Sequence, residues 1–374
     1  MASLLALDFD LGPELASAVR DCVDAQQAFC VLDRRLAPSR REHELAALGA
    51  THRRDASGTR RLEGGLEVPE GIGVVMLTSG SSGTPKAAML TWDALRASAE
   101  LTSAALDRGR GARWLACLPA NHIGGLAVVL RAAFGHGALV WGDPHDLSTG
   151  PTLGATHVAV VRAQLHRFDL SGYDLVLLGG ARPPGEVPAN VVTTWGMTET
   201  GSGVVYDGRA LPGVELAIVE GELVLRSPTL FSAYRSSPRP RVTGPDGTSD
   251  WFPTGDAATI TEGRLRVRGR IGYVINSGGE KVWPDDLEAA LSSVPGVTDV
   301  AVTGLEDQEW GERVVALVVS DAPLDEALRA TAAERIGPWA KPREVHYVQQ
   351  IPRTANGKIR RDALARIAAD LATE

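Results

Sequence analysis

Between Gly73 and Lys86 a strand-like apolar run turns directly into a loop of hydroxyls and glycines, and no other stretch limits the fold as much. Gly73-Val74-Val75-Met76-Leu77 reads as a short buried strand. Thr78-Ser79-Gly80-Ser81-Ser82-Gly83-Thr84-Pro85-Lys86 follows without a break. Glycines let backbone N–H groups approach an anion, hydroxyls donate to its oxygens, and the lysine adds charge. The loop is therefore expected to cradle the phosphates of a nucleotide. It is not a Walker A loop, which needs Gly-Lys-Ser/Thr opening a helix. Here Thr84-Pro85 separates Gly83 from Lys86, Ala87 follows, and Pro85 removes a backbone donor.

The pattern around this junction alternates helix and strand. Asp10 to Phe29 reads as an amphipathic helix, and Leu36 to Leu66 is loosely patterned. After the loop, Thr91 is a plausible N-cap for a helix reaching Leu106. Trp114 to Leu118 reads as a strand and Gly125 to Phe134 as a helix. Ala138 to Trp141, His157 to Val161 and Leu175 to Leu178 are short apolar strands. The sum is an α/β sheet. From Leu211 to Ile275 short strands (Glu215 to Val219, Glu222 to Ser227, Ala257 to Thr261, Arg264 to Gly269) form a β-rich subdomain. A third texture follows: a helix Pro284 to Ser292 with Asp285 and Asp286 in its first turn, strands Val297 to Thr303 and Arg313 to Val319, and a helix Asp325 to Ile336. The expected fold class is α/β, a large domain of mixed sheets with flanking helices over 1–271 and a small mobile α+β domain over 272–374.

Composition excludes several classes. A net charge of −8 argues against non-specific nucleic-acid binding. The stretch Trp114 to Leu130 is broken by Pro119, Asn121 and His122, short of a membrane span of about 20 apolar residues. Met1 to Leu11 carries Asp8 and Asp10 and no basic segment, unlike a signal peptide. Cys22, Cys30 and Cys117 form no C-x-x-C pair, so reduced thiols in the cytoplasm are expected. Of 38 basic residues only four are lysines: Lys86, Lys281, Lys341 and Lys358. Lysine is a compact point charge that arginine cannot always replace, which enriches these four for chemistry.

Further motifs follow the loop in a fixed order: Leu178-Gly179-Gly180-Ala181, Thr194-Trp195-Gly196-Met197-Thr198-Glu199, Trp251-Phe252-Pro253-Thr254-Gly255-Asp256, Gly269-Arg270-Ile271-Gly272, Ser277-Gly278-Gly279-Glu280-Lys281 and Ile351-Pro352-Arg353-Thr354-Ala355-Asn356-Gly357-Lys358. The set resembles the adenylate-forming superfamily of acyl-CoA synthetases, peptide-synthetase adenylation domains and firefly-type luciferases. Ala87 and Gly272 depart from its usual Gly and Asp or Lys. The resemblance implies ATP, Mg²⁺ and coenzyme A. Thr78 to Thr84 with Lys86 would hold phosphates. Gly179, Gly180, Ala181, Thr194, Trp195, Gly196 and Met197 would flank the adenine, with Thr198 on the α-phosphate and Glu199 on Mg²⁺. Asp256 would accept from the ribose hydroxyls, and Arg270 would open the hinge beside them. Lys358 would bridge carboxylate and α-phosphate during adenylation. Gly278, Gly279 and Lys281 would serve thioester formation with CoA, and Lys341 reads as structural.

Pro119-Ala120-Asn121-His122-Ile123-Gly124-Gly125-Leu126 resembles the loop lining the acyl pocket, which makes His122 and Gly125 substrate candidates. Arg131, nine residues after His122, is either a snorkelling surface arginine or a clamp for a second carboxylate. His122 with a basic residue at that spacing resembles the o-succinylbenzoate–CoA ligases of menaquinone biosynthesis, whose acid is an aromatic dicarboxylate. The segment before Val74 is shorter than in typical members, so a truncated N-terminal part is expected. Other aryl- or medium-chain acyl-CoA ligases, a carrier-protein acceptor and a non-catalytic nucleotide-binding homologue are the alternatives. The expected partners are thus a small carboxylic acid, ATP and CoA, with no nucleic acid and no membrane span; a homodimer is compatible.

Overall fold

The computed structural model describes all residues except 79–85, 108–110, 181, 184–185, 355–357 and 373–374. Among the described residues the chain is a mixed α/β protein with four sheets and flanking helices. By packing it divides into two compact units. The first comprises Met1–Ala217, Val224–Pro253 and Glu262–Leu265; the second comprises Ile218–Leu223, Thr254–Thr261 and Arg266–Glu374.

Two sheets build the first unit. In the larger, the strands run in the spatial order Ser237–Pro238, Ala233–Tyr234, Lys86–Thr91, Ile72–Thr78, Phe29–Val31, Leu5–Leu7, His52–Asp55, Gly58–Arg61. Ile72–Thr78 is buried along most of its length because Ile, Val and Met fill both of its faces. In the other sheet the order is Arg209–Ala210, Ser202–Tyr206, Val191–Met197, Leu175–Gly179, His157–Val161, Arg113–Leu115, Ala138–Val140. Here Val191–Met197, Leu175–Gly179 and His157–Val161 are parallel, so their carboxyl ends share one edge. Ligands of α/β sheets gather at such edges. The strands Glu215–Val219, Glu222–Arg226, Phe252–Thr261 and Arg264–Arg270 form a third sheet.

The second unit is centred on the antiparallel pair Asp299–Asp307 and Gly311–Val319. Glu344–Tyr347 adds in parallel, Ile275–Ser277 joins at Ser277, and Glu280–Val282 pairs with Ile275–Ser277. Leu287, Leu291, Val302, Val314, Ala316 and Leu328 form part of its apolar core.

Several expected elements change. The helix expected over Asp10 to Phe29 is Pro13–Asp24. It stops before Gln26, whose φ is +50°, and Phe29 belongs to the strand Phe29–Val31. The loosely patterned stretch holds the helix Pro38–Leu48 and the hairpin His52–Asp55/Gly58–Arg61. Only Leu45 and Leu48 of that helix are buried, and every residue of the Gly58–Arg61 strand is exposed, so neither shows an apolar period. Lys86–Thr91 is a strand antiparallel to Ile72–Thr78, not part of a turn. The helix Trp92–Leu106 begins as expected, with Thr91 Oγ1 accepting from Ala94 N at 3.1 Å. The helix Arg361–Leu371 and the strand Glu344–Tyr347 complete the second unit.

Candidate active site

In the first unit the pairing places Thr78 directly opposite Lys86, so the loop begins and ends on neighbouring strands. Ser79, Gly80, Ser81, Ser82, Gly83 and Thr84 lie outside the described residues, as does Ala181. Tyr234, which had no place in the sequence expectations, sits opposite Ala88 on the strand beside Lys86–Thr91. Its ring centroid is 5.2 Å from Lys86 Nζ, and its hydroxyl donates to Glu199 Oε1 at 2.9 Å. Tyr234 thus links the loop lysine to the expected metal-binding carboxylate. Its only sequence signal was an aromatic in the polar stretch Ala233-Tyr234-Arg235.

Glu199 is buried at the tight turn Thr198–Thr200. Phe231 N donates to its carbonyl at 2.8 Å, and Met197 N donates to Thr200 Oγ1 at 2.9 Å. The preceding strand Val191–Met197 turns against Ser202–Tyr206 with a bulge between Trp195 and Gly196. A Cβ at Gly196 would stand 2.2 Å from the Ser202 carbonyl, so this position admits no side chain. Gly179, with Gly180 following, lies beside Thr194 at the shared carboxyl edge. The structure therefore groups Gly179, Thr194 and Trp195 with Gly196, Met197, Thr198 and Glu199, as the sequence order implies.

Asp256 and Arg270 meet within the second unit. Arg270 Nε lies 3.0 Å from Asp256 Oδ1, and Arg270 Nη1 donates to the Thr254 carbonyl at 2.5 Å. Gly255 between them has φ +76° and its N–H donates to Glu222 Oε1 at 2.7 Å. A side chain there would be strained and would crowd Arg270, which explains the Thr-Gly-Asp order. Gly278 and Gly279 follow the strand Ile275–Ser277, whose Ser277 is fully buried, and Lys281 is exposed on Glu280–Val282. Lys358 precedes Ile359, which bridges to Arg353, and Thr354 N donates to the Lys358 carbonyl at 2.8 Å.

Arg131 is not a surface arginine. It is 2% exposed, on the helix Ile123–Ala133, with its guanidinium carbon 4.3 Å from the Trp114 ring centroid. Among the described residues no carboxylate pairs with it, and its Nε has no hydrogen-bond partner. Burial pushes its pKa down to about 10, so it remains a cation at neutral pH. The Tyr206 hydroxyl is likewise buried without a partner; burial pushes its pKa up to about 12, and the charge of Arg131 opposes the rise. Arg131 lines a narrow cavity of about 10 Å³, room for about one water, with Ser98, Thr102, Ala127 and Gly201. His122 caps the other end of the helix, about 13 Å away at 1.5 Å per residue. It lines a different cavity, with Glu44, Val75, Leu77 and Asn121. The two expected acid contacts are therefore not brought to one pocket. Gly125 lies buried in the first turn against the Leu118 and Pro119 carbonyls.

A lysine and a buried glutamate joined by a tyrosine thus stand in the same unit as a glycine-lined edge of parallel strands, the kind of edge at which α/β sheets bind ligands. The chain belongs to the AMP-binding enzyme family, whose model matches residues 24–235, while the model of the AMP-binding enzyme C-terminal domain matches residues 286–358. It is 38% identical over 335 residues to a probable 2-succinylbenzoate–CoA ligase of Mycobacterium tuberculosis, covering 81% of this chain and 86% of that protein. It is 32% identical to a 2-succinylbenzoate–CoA ligase of Geobacillus kaustophilus, covering 80% and 70%. In fold it is similar to o-succinylbenzoate CoA synthetase of Bacillus subtilis solved with the acyl-adenylate OSB-AMP, with a TM-score of 0.81, 23% identity and coverage of 97% and 88%. No helix among the described residues is long and apolar enough to cross a membrane.

Proposed function

We propose that this chain joins o-succinylbenzoate to coenzyme A at the expense of ATP. The acid's carboxylate attacks the α-phosphorus of ATP and pyrophosphate leaves; the CoA thiol then attacks the acyl carbon and AMP leaves. The observation that carries the choice of acid is the buried, acid-free Arg131. Burying an unneutralised guanidinium costs several kcal/mol in order of magnitude, and a ligand carboxylate beside it removes that cost. An aromatic dicarboxylate offers one carboxylate to the phosphorus and a second to Arg131.

The remaining assignments follow from family membership and the grouping of residues. Lys86 and the hydroxyl loop neutralise the phosphates, Thr198 reaches the α-phosphate, and Asp256 with Arg270 receives the ribose. Lys358 offsets charge on the phosphoryl oxygens in the adenylation transition state. Glu199 suits Mg²⁺ as a single buried carboxylate whose Oε1 accepts from the Tyr234 hydroxyl. Mg²⁺ is ordinarily held by one or two carboxylates together with substrate phosphates. When bound it neutralises phosphate charge, while Tyr234 orients the carboxylate that holds it. Between the two steps the small domain turns at Arg270 to Gly272, exchanging Lys358 for Gly278, Gly279 and Lys281. The short turn Ile271–Tyr273 and the open space around Gly272 support that pivot. The buried state of Cys22, Cys30 and Cys117, all free thiols, supports a cytoplasmic setting.

The test is pyrophosphate release across a panel of aryl, medium-chain and dicarboxylic acids, followed by mass detection of the CoA thioester. Preference for o-succinylbenzoate over its monocarboxylate analogue, lost in Arg131→Ala, is the expected result. Equal rates on mono- and dicarboxylates would sink the choice of acid. His122→Ala in the same panel separates the two cavities.

A further inference from the structure

One ion cluster in the second unit has no part in the chemistry above. Arg361 is the first residue of the helix Arg361–Leu371, three residues past Lys358. Its Nη1 donates to Glu288 Oε1 at 2.6 Å and to the Val302 carbonyl at 2.7 Å. Its Nη2 donates to Asp285 Oδ1 at 2.8 Å and Glu288 Oε2 at 3.0 Å. Glu288 Oε1 also accepts from Val302 N at 2.8 Å. Side-chain exposure is 13% for Arg361 and 12% for Glu288.

Two physical points make this arrangement informative. A cation in the first turn of a helix opposes the helix dipole, so local preference does not place Arg361 there. A buried ion pair adds little net stability against an apolar substitute, and its best attested use is to set register. The register at stake is that of Lys358, between the described residues 353–354 and 359–361. On its entry side, Arg353 Nη2 donates to Asp299 Oδ1 at 2.7 Å and Oδ2 at 3.0 Å. On its exit side, Arg360 N donates to the Pro352 carbonyl at 2.8 Å and Arg361 enters the cluster. Asp299 and Val302 lie on one strand, Asp299–Asp307, so a single strand anchors the residues on both sides of Lys358.

We propose that Arg361, held by Glu288, Asp285 and the Val302 carbonyl, is a positioning residue that fixes Lys358 for the adenylation step. The inference rests on the role given above to Lys358. Its ammonium must meet charge that develops only in the transition state, and a misplacement of about 1 Å can cost about a hundredfold. The thioester-forming step uses other residues and does not need this register.

The experiment measures the two half-reactions of the full chain separately. ATP–pyrophosphate exchange with o-succinylbenzoate reports adenylation, and CoA thioester from prepared o-succinylbenzoyl-AMP reports transfer. Arg361→Ala is expected to slow exchange about a hundredfold while changing transfer by less than about threefold. Arg361→Lys should recover part of the loss, because one ammonium cannot serve both carboxylates in the fork geometry. On a Lys358→Ala background, Arg361→Ala should cost exchange nothing further, since both act through one group. Equal slowing of both half-reactions, or losses that add to those of Lys358→Ala, would overturn the proposal. If Arg361→Ala does not fold, Glu288→Gln gives the same reading with a loss of about tenfold in exchange alone; an equal loss in transfer overturns it. Full exchange in Lys358→Ala would instead overturn the role of Lys358, whereas an inactive Lys358→Ala beside an active Arg361→Ala overturns only the positioning.

Discussion

Two arginines are taken out of water in this molecule, and their surroundings are opposite. Arg131, in the first unit, has a tryptophan face beneath it and no acid among the described residues. Arg361, in the second, meets two carboxylates and a carbonyl through four hydrogen bonds. A buried cation left without a counter-ion destabilises the empty protein and favours whatever anion comes to it. A buried cation whose donors are filled has no capacity left for a ligand and can only hold its own elements in place. The same residue type is thus left with free donors in one unit and with filled ones in the other, and partner inventory, not burial, separates the two roles proposed for them.

The largest effect expected from breaking this contrast is on substrate choice. Arg131→Met should lower kcat/KM for o-succinylbenzoate about a hundredfold or more, from the loss of one desolvated charge pair. KM for ATP should move little; a matching rise there would deny Arg131 its separate role. Tyr234→Phe comes next. It removes one hydrogen bond to Glu199, and adenylation should fall about tenfold while transfer from prepared acyl-adenylate holds. A drop in transfer alone would place Tyr234 elsewhere in the reaction.

Stability should move in opposite directions for the two arginines. Arg131→Met removes an unpaired buried charge and is expected to raise Tm by about 5 °C in the absence of substrate. Arg361→Met strands Glu288 and should lower Tm by a comparable or larger amount. Shifts of the same sign would erase the distinction.

The smallest effect is a difference in pH dependence. Burial lowers the pKa of His157 from 6.5, with the Arg131 charge adding to the fall. The unfolded chain then binds the extra proton first, so this group's contribution is lost as pH falls below 6.5. Burial raises Glu288 from 4.5 to about 7, although Arg361 opposes the rise. The folded chain then holds a proton the unfolded chain has released, so stability declines as pH rises from 4.5 towards 7. Melting curves from pH 5 to 8 should lose the first slope in His157→Gln and the second in Glu288→Gln. An unchanged slope in either variant would reject that assignment.

Legibility followed pattern strength. Ile72–Thr78 and Ile123–Ala133 were readable as nearly continuous apolar runs, and Trp92–Leu106 because a capping threonine opens an apolar face. Gly58–Arg61 was not, since all of its residues face water and no face alternates. Lys86–Thr91 was left unassigned because Ala-Ala-Met-Leu is too short to show a period until its partner strand is known. The candidate site was legible where chemistry lies in consecutive residues, as in Thr194 to Glu199 or Gly255-Asp256. It was not where the pair is distant, as with Tyr234 and Glu199, 35 residues apart.

The sequence by itself determined the family and the nucleotide, because both are carried by short motifs whose residue types the chemistry dictates. It also singled out Arg131 but left it between surface and pocket. Only the tertiary structure removed the surface reading, since whether a charge is buried and has a partner depends on what other strands and helices bring within about 4 Å, and no local window of sequence contains that information.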